Sequence, residues 1–213
     1  MDDIRSLKPM QLDALREVAN IGAGHAATAL STMTGGTIMI TVPTINVAKL
    51  EDVPPQISAP EEPVAAVLMH MLGDLTGRTL LVFPKPTALR LSELMLRRPQ
   101  GSSKELGELE QSAIKEAGNI LSGAYMNALS DFMGLMLLPW PPGLAVDMST
   151  AVLTTAYLQF GSDKDFVFCV ESQFYMKEVN EYLRGFFLLL PDFASLQAIL
   201  RAVRVARAKT APA

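Results

Sequence analysis

The chain contains an internal duplication whose two copies keep a constant separation of 99 residues. That separation holds for four pairs of positions: Asp13 and Ser112, Glu17 and Glu116, Asn20 and Asn119, and Pro43 and Pro142. Nine residues of the first copy are identical at the matching position of the second: Ala14, Glu17, Asn20, Ile21, Gly24, Ala29, Leu30, Ser31 and Gly35. A period this long excludes a solenoid of short repeats. It predicts two half-domains related by an approximate two-fold axis.

The polar positions that open each copy fall on one face of a helix. Their spacing is i, i+4 and i+7, and a helix turns by about 100° per residue, so the three side chains share one narrow stripe. We call these sets the polar stripes: Asp13, Glu17 and Asn20 in the first copy, and Ser112, Glu116 and Asn119 in the second. The opposite faces carry apolar or small residues: Leu15, Val18, Ala19 and Gly22, and then Ile114, Ala117, Gly118 and Leu121.

Periodicity and turn residues predict the same order of elements in both halves, namely a long helix, several strands and a short helix. For the first half the prediction is a helix over 9–33, a strand over 37–50 interrupted by Pro43, a surface loop over 51–63, strands over 64–72 and 79–83, and a helix over 87–96. For the second half it is a helix over 105–133, a strand over 135–138 broken at 139–143, strands over 151–160, 166–176 and 185–190, and a helix over 193–206.

This order favours an α+β fold, because runs of strands flanked by helices do not alternate strictly. We expect one continuous, largely antiparallel sheet with the two long helices packed side by side on one face and their polar stripes exposed. The predicted division is 9–97 for the first half, 98–104 for the linker, 105–206 for the second half and 207–213 for a tail, with 1–8 as a short cap. Gly22 and Gly24 destabilise a helix, so they predict a close approach by another backbone.

Composition limits the class of protein. The chain has 213 residues, 49% of them hydrophobic, which is enough for a sizeable core. The longest apolar run, 185–190, stops at Pro191, so we predict a buried strand and no membrane insertion. The first residues lack the pattern of a signal peptide, which favours a cytoplasmic protein. The net charge of −4 argues against nucleic-acid binding. A basic stripe near the C-terminus is interpreted as a solvated helix face: Arg201, Arg204, Arg207 and Lys209.

The usual catalytic sets are missing from the sequence. His25 and His70 lie far apart in the chain and outside any cluster with metal-ligand spacing, so a zinc site is not expected. The single cysteine, Cys169, excludes an internal disulfide, and its apolar strand predicts an ordinary buried thiol. A glycine-rich phosphate loop at 22–24 is a weak alternative, because no strand precedes it and no Gly-Lys-Ser/Thr follows. The duplicated polar stripes are therefore the candidate site.

At these residues the chain resembles the CheC-type chemotaxis phosphatase family, which also includes CheX-like dimers and the phosphatase part of FliY-type switch proteins. The motif is Asp or Ser, three residues, Glu, two residues, Asn, twenty-two residues, Pro, and it is complete in both copies. The resemblance covers roughly 11–200. Ala19 stands where the family usually has Gly, and His25 where it often has Asn, and both lie off the stripe.

The resemblance implies a phosphatase acting on the aspartyl phosphate of a CheY-type response regulator in chemotaxis. Asn20 and Asn119 would position the attacking water, as the glutamine of GTPases does. Glu17 and Glu116 would pair with the regulator's active-site lysine. The other motif positions are expected to support the site or touch the partner, with the prolines shaping the strand beside each helix: Asp13, Ser112, Pro43 and Pro142. No cofactor of the chain's own is implied, because the regulator holds the Mg²⁺.

The main alternative is an adaptor with weak activity, whose output would be binding of the receptor deamidase CheD and of phosphorylated CheY. The complete pair of Glu and Asn in both copies favours catalysis, because a pure adaptor does not need it. A monomer is expected, since the duplication already supplies the two-fold symmetry that a dimer would use.

Overall fold

The structure is a computed structural model that describes residues 9–41, 43–49, 52–59, 61–160 and 166–208. The helices in these ranges are α1 (Pro9–Thr34), α2 (Pro54–Ile57), α3 (Lys85–Met95), α4 (Glu108–Met133), α5 (Ser149–Phe160) and α6 (Phe193–Ala208). The strands are β1 (Ile38–Ile40), β2 (Thr44–Lys49), β3 (Pro63–Gly73), β4 (Gly77–Pro84), β5 (Leu137–Pro139), β6 (Gly143–Met148), β7 (Phe166–Met176) and β8 (Glu181–Pro191). Both halves therefore have the same order of elements, αββαββα.

The eight strands form one antiparallel sheet, which confirms the predicted fold class. The order along the sheet is β1-β7-β8-β4-β3-β5, with β2 also paired to β7 and β6 also paired to β3. The two halves meet at the central pair β4 and β8, where Val82 lies opposite Phe186. Beyond that pair the halves exchange strands. β1 and β2 of the first half pair with β7 of the second, and β5 and β6 of the second half pair with β3 of the first.

Both faces of the sheet are covered by helices. One face packs against α1, α3, α4 and α6 and forms the larger core cluster, which includes Val67, Phe83 and Phe187. The other face packs against the shorter helices α2 and α5. Burial on both faces explains why β3 and β8 consist largely of consecutive apolar residues instead of alternating apolar and polar ones.

The prediction of a strand over 151–160 is wrong, because this segment is helix α5. Its β-branched residues suggested a strand, but Val152, Leu153 and Ala156 lie on one helical face and are 7%, 2% and 5% exposed. Burial of that face against the sheet outweighs the weak local preference for a strand. The segment 51–63 is likewise more than a surface loop. It includes α2, and Val53 and Ile57 are buried against the same face of the sheet.

The long helices α1 and α4 pack against each other on one face, as predicted. At Gly22 a Cβ atom would lie 2.7 Å from Cδ1 and 3.1 Å from Cα of Tyr125, so only glycine permits the observed approach. The prediction of a close backbone approach is therefore confirmed at Gly22 and wrong at Gly24, where a Cβ atom would meet nothing within 4 Å. Gly118 plays a similar role between α4 and the sheet, because a Cβ atom there would lie 2.6 Å from the side chain of Val67.

The segment between α3 and α4 is held by a buried carboxylate. Glu93 is 2% exposed and accepts hydrogen bonds from the backbone N–H groups of Gly101 and Ser103 at 3.0 and 2.8 Å. Arg90 lies 3.5 Å from Glu93 and also donates to Glu181 on β8. Burial by itself would raise the pKa of Glu93, but the two backbone N–H groups and the Arg90 guanidinium lower that pKa below its ordinary value of 4.5.

Some predictions fall outside the described residues, namely the cap over 1–8, most of the tail and Lys209 of the basic stripe. Helix α6 extends to Ala208, two residues beyond the predicted end of the second half. The division into halves, linker and tail stays a prediction. In the described part of the chain, none of the helices has the length and apolar character needed to cross a membrane.

Candidate functional site

The first polar stripe lies on the solvent side of α1. Asp13, Glu17 and Asn20 are all exposed, whereas Leu15 and Val18 behind them are 7% and 6% exposed. The apolar face therefore anchors the helix and the opposite face presents the carboxylates and the amide. This confirms the predicted exposure of the first stripe.

The second stripe repeats this arrangement on α4. Ser112 and Glu116 are exposed and Asn119 is half-buried, while Ile114 and Leu121 on the opposite face are completely buried. Helix α4 begins after Gly107 with Glu108 and Glu110 in its first turn, where acidic side chains favour the positive end of the helix dipole. It ends at Gly134, which has the left-handed conformation (φ 65°) that commonly terminates helices.

Packing beneath the stripes anchors the two helices to each other and to the sheet. The hydroxyl of Tyr125 lies 2.6 Å from Oγ of Ser172 on β7, and its ring stacks on Phe187 with a centroid distance of 4.6 Å. Burial raises the pKa of Tyr125 to about 12, with the Ser172 hydrogen bond acting in the opposite direction. The Tyr125 side chain thus joins α4 to the sheet and also fills the space against Gly22 of α1.

The two stripes differ in charge at their first position. The carboxylate of Asp13 accepts a hydrogen bond from Arg16 at 3.0 Å, and both side chains are about half exposed. Ser112 has no charge, and Lys115 occupies the position that corresponds to Arg16. The ion pair of the first copy therefore has no counterpart in the second. Because exposed ion pairs are weak, a partner can displace this contact at little cost.

The two motif prolines occupy equivalent places. Pro43 directly precedes β2 and is buried, and Pro142 directly precedes β6 and is half-buried. Each proline therefore lies in the break between two short edge strands, consistent with the interruption expected from the missing N–H donor. Their contribution to the site stays a prediction.

The other candidate groups show no catalytic arrangement. Burial, and then the nearby charge of Glu171, raise the pKa of Cys169 to about 12, so its thiol is protonated at neutral pH and is not a nucleophile. His25 is exposed on α1 and His70 is exposed near the end of β3. Among the residues that the structure describes, no group of three or more His, Cys, Asp or Glu side chains is placed to hold a metal ion.

The structure shows a continuation of each stripe that the sequence reasoning did not include. Gly24 and Gly123 lie one helical turn beyond the asparagines, and the space above both is open. Ile21, which is 40% exposed, and the half-buried Ile120 flank the stripes. All four belong to the positions that are identical in the two copies, and this identity was the available signal.

Sequence comparison places these elements in a family. A model of the CheC-like family matches twice, at residues 10–47 and 109–145, and each match contains one polar stripe and its proline. The CheY-P phosphatase CheC of Bacillus subtilis (strain 168) is 30% identical over 205 residues, which span 95% of this chain and 98% of that protein. The chain belongs to the CheC-like family. The duplicated motif found in the sequence is thus the part that the family model covers.

Two further comparisons concern flagellar switch proteins. The flagellar motor switch phosphatase FliY of Bacillus subtilis (strain 168) is 32% identical over 132 residues, which span 60% of this chain and 33% of that protein. The crystal structure of Thermotoga maritima FliY superposes with a TM-score of 0.77 at 24% identity, covering 94% of this chain and 99% of that one. The latter likeness shows that this CheC-like chain shares the fold over nearly its full length.

Proposed function

We propose that this CheC-like protein is a phosphatase that hydrolyses the aspartyl phosphate of a CheY-type response regulator in chemotaxis. The observation that carries the proposal is the pairing of an exposed Glu and an exposed or half-buried Asn, one turn apart on a firmly packed helix, in both copies. Support comes from the relationship to a CheY-P phosphatase across almost the whole of both chains.

The chemistry requires little from such a site. In hydrolysis of an acyl phosphate, the oxygen of water forms a bond to phosphorus while the bond between phosphorus and the aspartyl oxygen breaks. The aspartate carboxylate leaves, and the protons of water remain with inorganic phosphate or pass to solvent. Phosphoryl transfer depends mainly on positioning and electrostatic stabilisation, so a group that holds water in line is a sufficient contribution from the phosphatase.

The proposed roles follow from the side chains. The carboxamide of Asn20 or Asn119 has both a donor and an acceptor, so it can orient a water molecule without taking its proton. Glu17 or Glu116, one turn earlier, projects in the same direction and would pair with the regulator's lysine. Asp13 and Ser112 would contact the partner at the edge of the interface. The Mg²⁺ belongs to the substrate protein, and the chain itself would need no cofactor.

The decisive experiment follows the decay of a phosphorylated CheY-type regulator with the wild type, Asn20→Ala, Asn119→Ala and the double variant. We expect each single variant to lose part of the acceleration and the double variant to lose about a hundredfold, because a mispositioned water costs about that factor. Thr32→Ala, an exposed change on α1 away from the stripe, is the control. A wild type that does not accelerate decay, or a fully active double variant, would overturn the proposal.

The adaptor alternative has one observation in its favour, a group of exposed apolar side chains where β5 runs beside β3. Leu72 pairs with Leu138, and with Met136 and Trp140 they are 39–58% exposed. This surface consists of residues outside the stripes and offers a second place for a protein partner such as CheD. Size-exclusion chromatography of the mixture tests it. A complex that is lost in Leu138→Ala/Trp140→Ala, while that variant still accelerates decay at the wild-type rate, would show that binding and catalysis use separate surfaces. We further propose a monomer located in the cytoplasm.

A further inference from the structure

The identical positions of the two copies fall into two groups. For five of the nine, this chain's own packing or backbone accounts for the identity: Ala14, Ala29, Leu30, Ser31 and Gly35. Three of these are alanine or leucine whose copies are buried or half-buried. Ser31 donates to the carbonyl of Ile38, and Gly35 has the left-handed conformation with φ 73°. The other four positions are exposed in the first copy and exposed or half-buried in the second, and they are consecutive along one side of the helix: Glu17, Asn20, Ile21 and Gly24.

Among the residues that the structure describes, nothing requires glycine at 24 or 123. A Cβ atom at either position would meet no heavy atom within 4 Å, and neither residue has a positive φ. Gly22 and Gly118 provide the contrast, because their missing Cβ atoms would collide with Tyr125 and Val67. Glycine in a helix interior is less stable than alanine, so an open position that is glycine in both copies indicates a demand from outside the chain.

Geometry indicates what that demand is. Gly24 follows Asn20 by four residues, so it continues the stripe about 6 Å further along the helix axis. The asparagine side chain is short, and its amide reaches a water molecule beside a phosphoryl group only if the helix backbone lies close to the phosphorylated protein. One turn further along the same line, a methyl group would then project into that protein.

We propose that Gly24 and Gly123 keep the helix surface bare so that the backbone of the phosphorylated regulator, next to its phosphorylated aspartate, can lie against the helix. Ile21 and Ile120 provide the apolar flank of the same contact. The glycines are positioning residues, because they set how closely the asparagine amide approaches the phosphoryl group of the regulator. This inference rests on the proposed function and specifies how the substrate docks.

The test is the double variant Gly24→Ala/Gly123→Ala in the decay assay. We expect kcat/KM to fall at least tenfold, while the melting temperature rises by about 2–4 °C per glycine because alanine favours the helix. A fall in kcat/KM together with a higher melting temperature would show that the variant loses docking to the regulator and not its own fold. In the inactive Asn20→Ala/Asn119→Ala background, where turnover does not interfere, the same two alanines should weaken binding of the phosphorylated regulator at least tenfold.

Two matched variants complete the design. Thr32→Ala/Asp131→Ala changes an equivalent pair of exposed helical positions away from the stripes and should keep the wild-type rate. Gly24→Leu/Gly123→Leu, with a larger side chain that still favours a helix, should abolish the acceleration. A wild-type rate and wild-type binding in the alanine variant would overturn the inference and leave the proposed function standing. Failure of the wild type itself to accelerate decay would remove the proposed function.

Discussion

The contact between Gly22 and Tyr125 gives a prediction whose size follows from the structure. A Cβ atom at Gly22 would lie 2.7 Å from Tyr125 Cδ1 and 3.1 Å from Tyr125 Cα, whereas ordinary contacts begin at 3.4 Å. The shortfalls are 3.4 − 2.7 = 0.7 Å and 3.4 − 3.1 = 0.3 Å. The ring cannot move away freely, because its hydroxyl bonds to Ser172 and its face stacks on Phe187. The Gly22→Ala variant must therefore push α1 and α4 apart.

Overpacking of a core costs about 1–3 kcal/mol, and the 2.7 Å contact with a ring that is held in place puts Gly22→Ala in the upper part of that range, at about 2–3 kcal/mol. The gain in helix preference from Gly to Ala offsets about 1 kcal/mol of that cost. We therefore expect Gly22→Ala to lower the free energy of unfolding by about 1–2 kcal/mol. Gly24→Ala, only two residues away in open space, should raise it by about 1 kcal/mol. Urea unfolding followed by circular dichroism measures both free-energy changes. If the slope of the free energy of unfolding against urea concentration stays the same, only the stability has changed.

For this reasoning to hold, Gly22→Ala and Gly24→Ala must change the free energy of unfolding in opposite directions. If both stabilised the protein, the close approach of α1 and α4 at Gly22 would not exist in solution. A double-mutant cycle gives a second check. In a Tyr125→Ala background the obstructing side chain is gone, so most of the cost of Gly22→Ala should disappear. Equal effects of Gly22→Ala in both backgrounds would locate the strain elsewhere.

Three further perturbations test the buried polar contacts. Glu93→Gln should lower the free energy of unfolding by about 2 kcal/mol, because the N–H groups of Gly101 and Ser103 lose a charged acceptor, and urea unfolding checks this. Lowering the pH should destabilise the protein, since the folded pKa of Glu93 lies below 4.5. The stabilisation that the Glu93 carboxylate provides is complete above its pKa in the unfolded chain. It is lost as the pH falls through its lower pKa in the folded protein. Melting temperatures from pH 7 to pH 3 should show the decline below about pH 4.5, and Glu93→Gln should flatten it. Ser172→Ala should cost about 1–3 kcal/mol in a thermal melt, because the buried Tyr125 hydroxyl loses its partner; an unchanged melting temperature would contradict this.

The parts of the fold that the sequence predicted correctly have strong local patterns. Glu17 and Asn20 fall on the opposite side of the first helix from Leu15 and Val18, so the sequence predicts which face is buried. The second copy has the same pattern 99 residues later, so the same prediction holds for the second helix. Helix α5 was mistaken for a strand because its β-branched residues carry a weak preference that tertiary burial reversed. The difference between Gly22 and Gly24 was also beyond the sequence, because it depends on which atoms of α4 lie opposite each one.

The exchange of strands could not be predicted from a duplicated sequence. Both halves offer short edge strands and a long partner strand, so the residues of β2 are compatible with pairing either to β3 of its own half or to β7 of the other. The choice between them depends on chain geometry around the central pair. The candidate site was predictable for a related reason, since its residues are local to one helix in each copy and need no long-range pairing.

Because each half pairs its edge strands with the other half, neither half has a complete sheet of its own, although the two halves follow one another in the chain. Half of the molecule produced alone would leave the edge of β3 without β5 and β6, and its own β1 and β2 without β7. Such a fragment would have unpaired backbone groups along two long edges, which favours association with a second copy through those same strands. In the intact chain, a proteolytic cut between α3 and α4 would leave α1 and α4, with their polar stripes, packed on one hydrogen-bonded sheet.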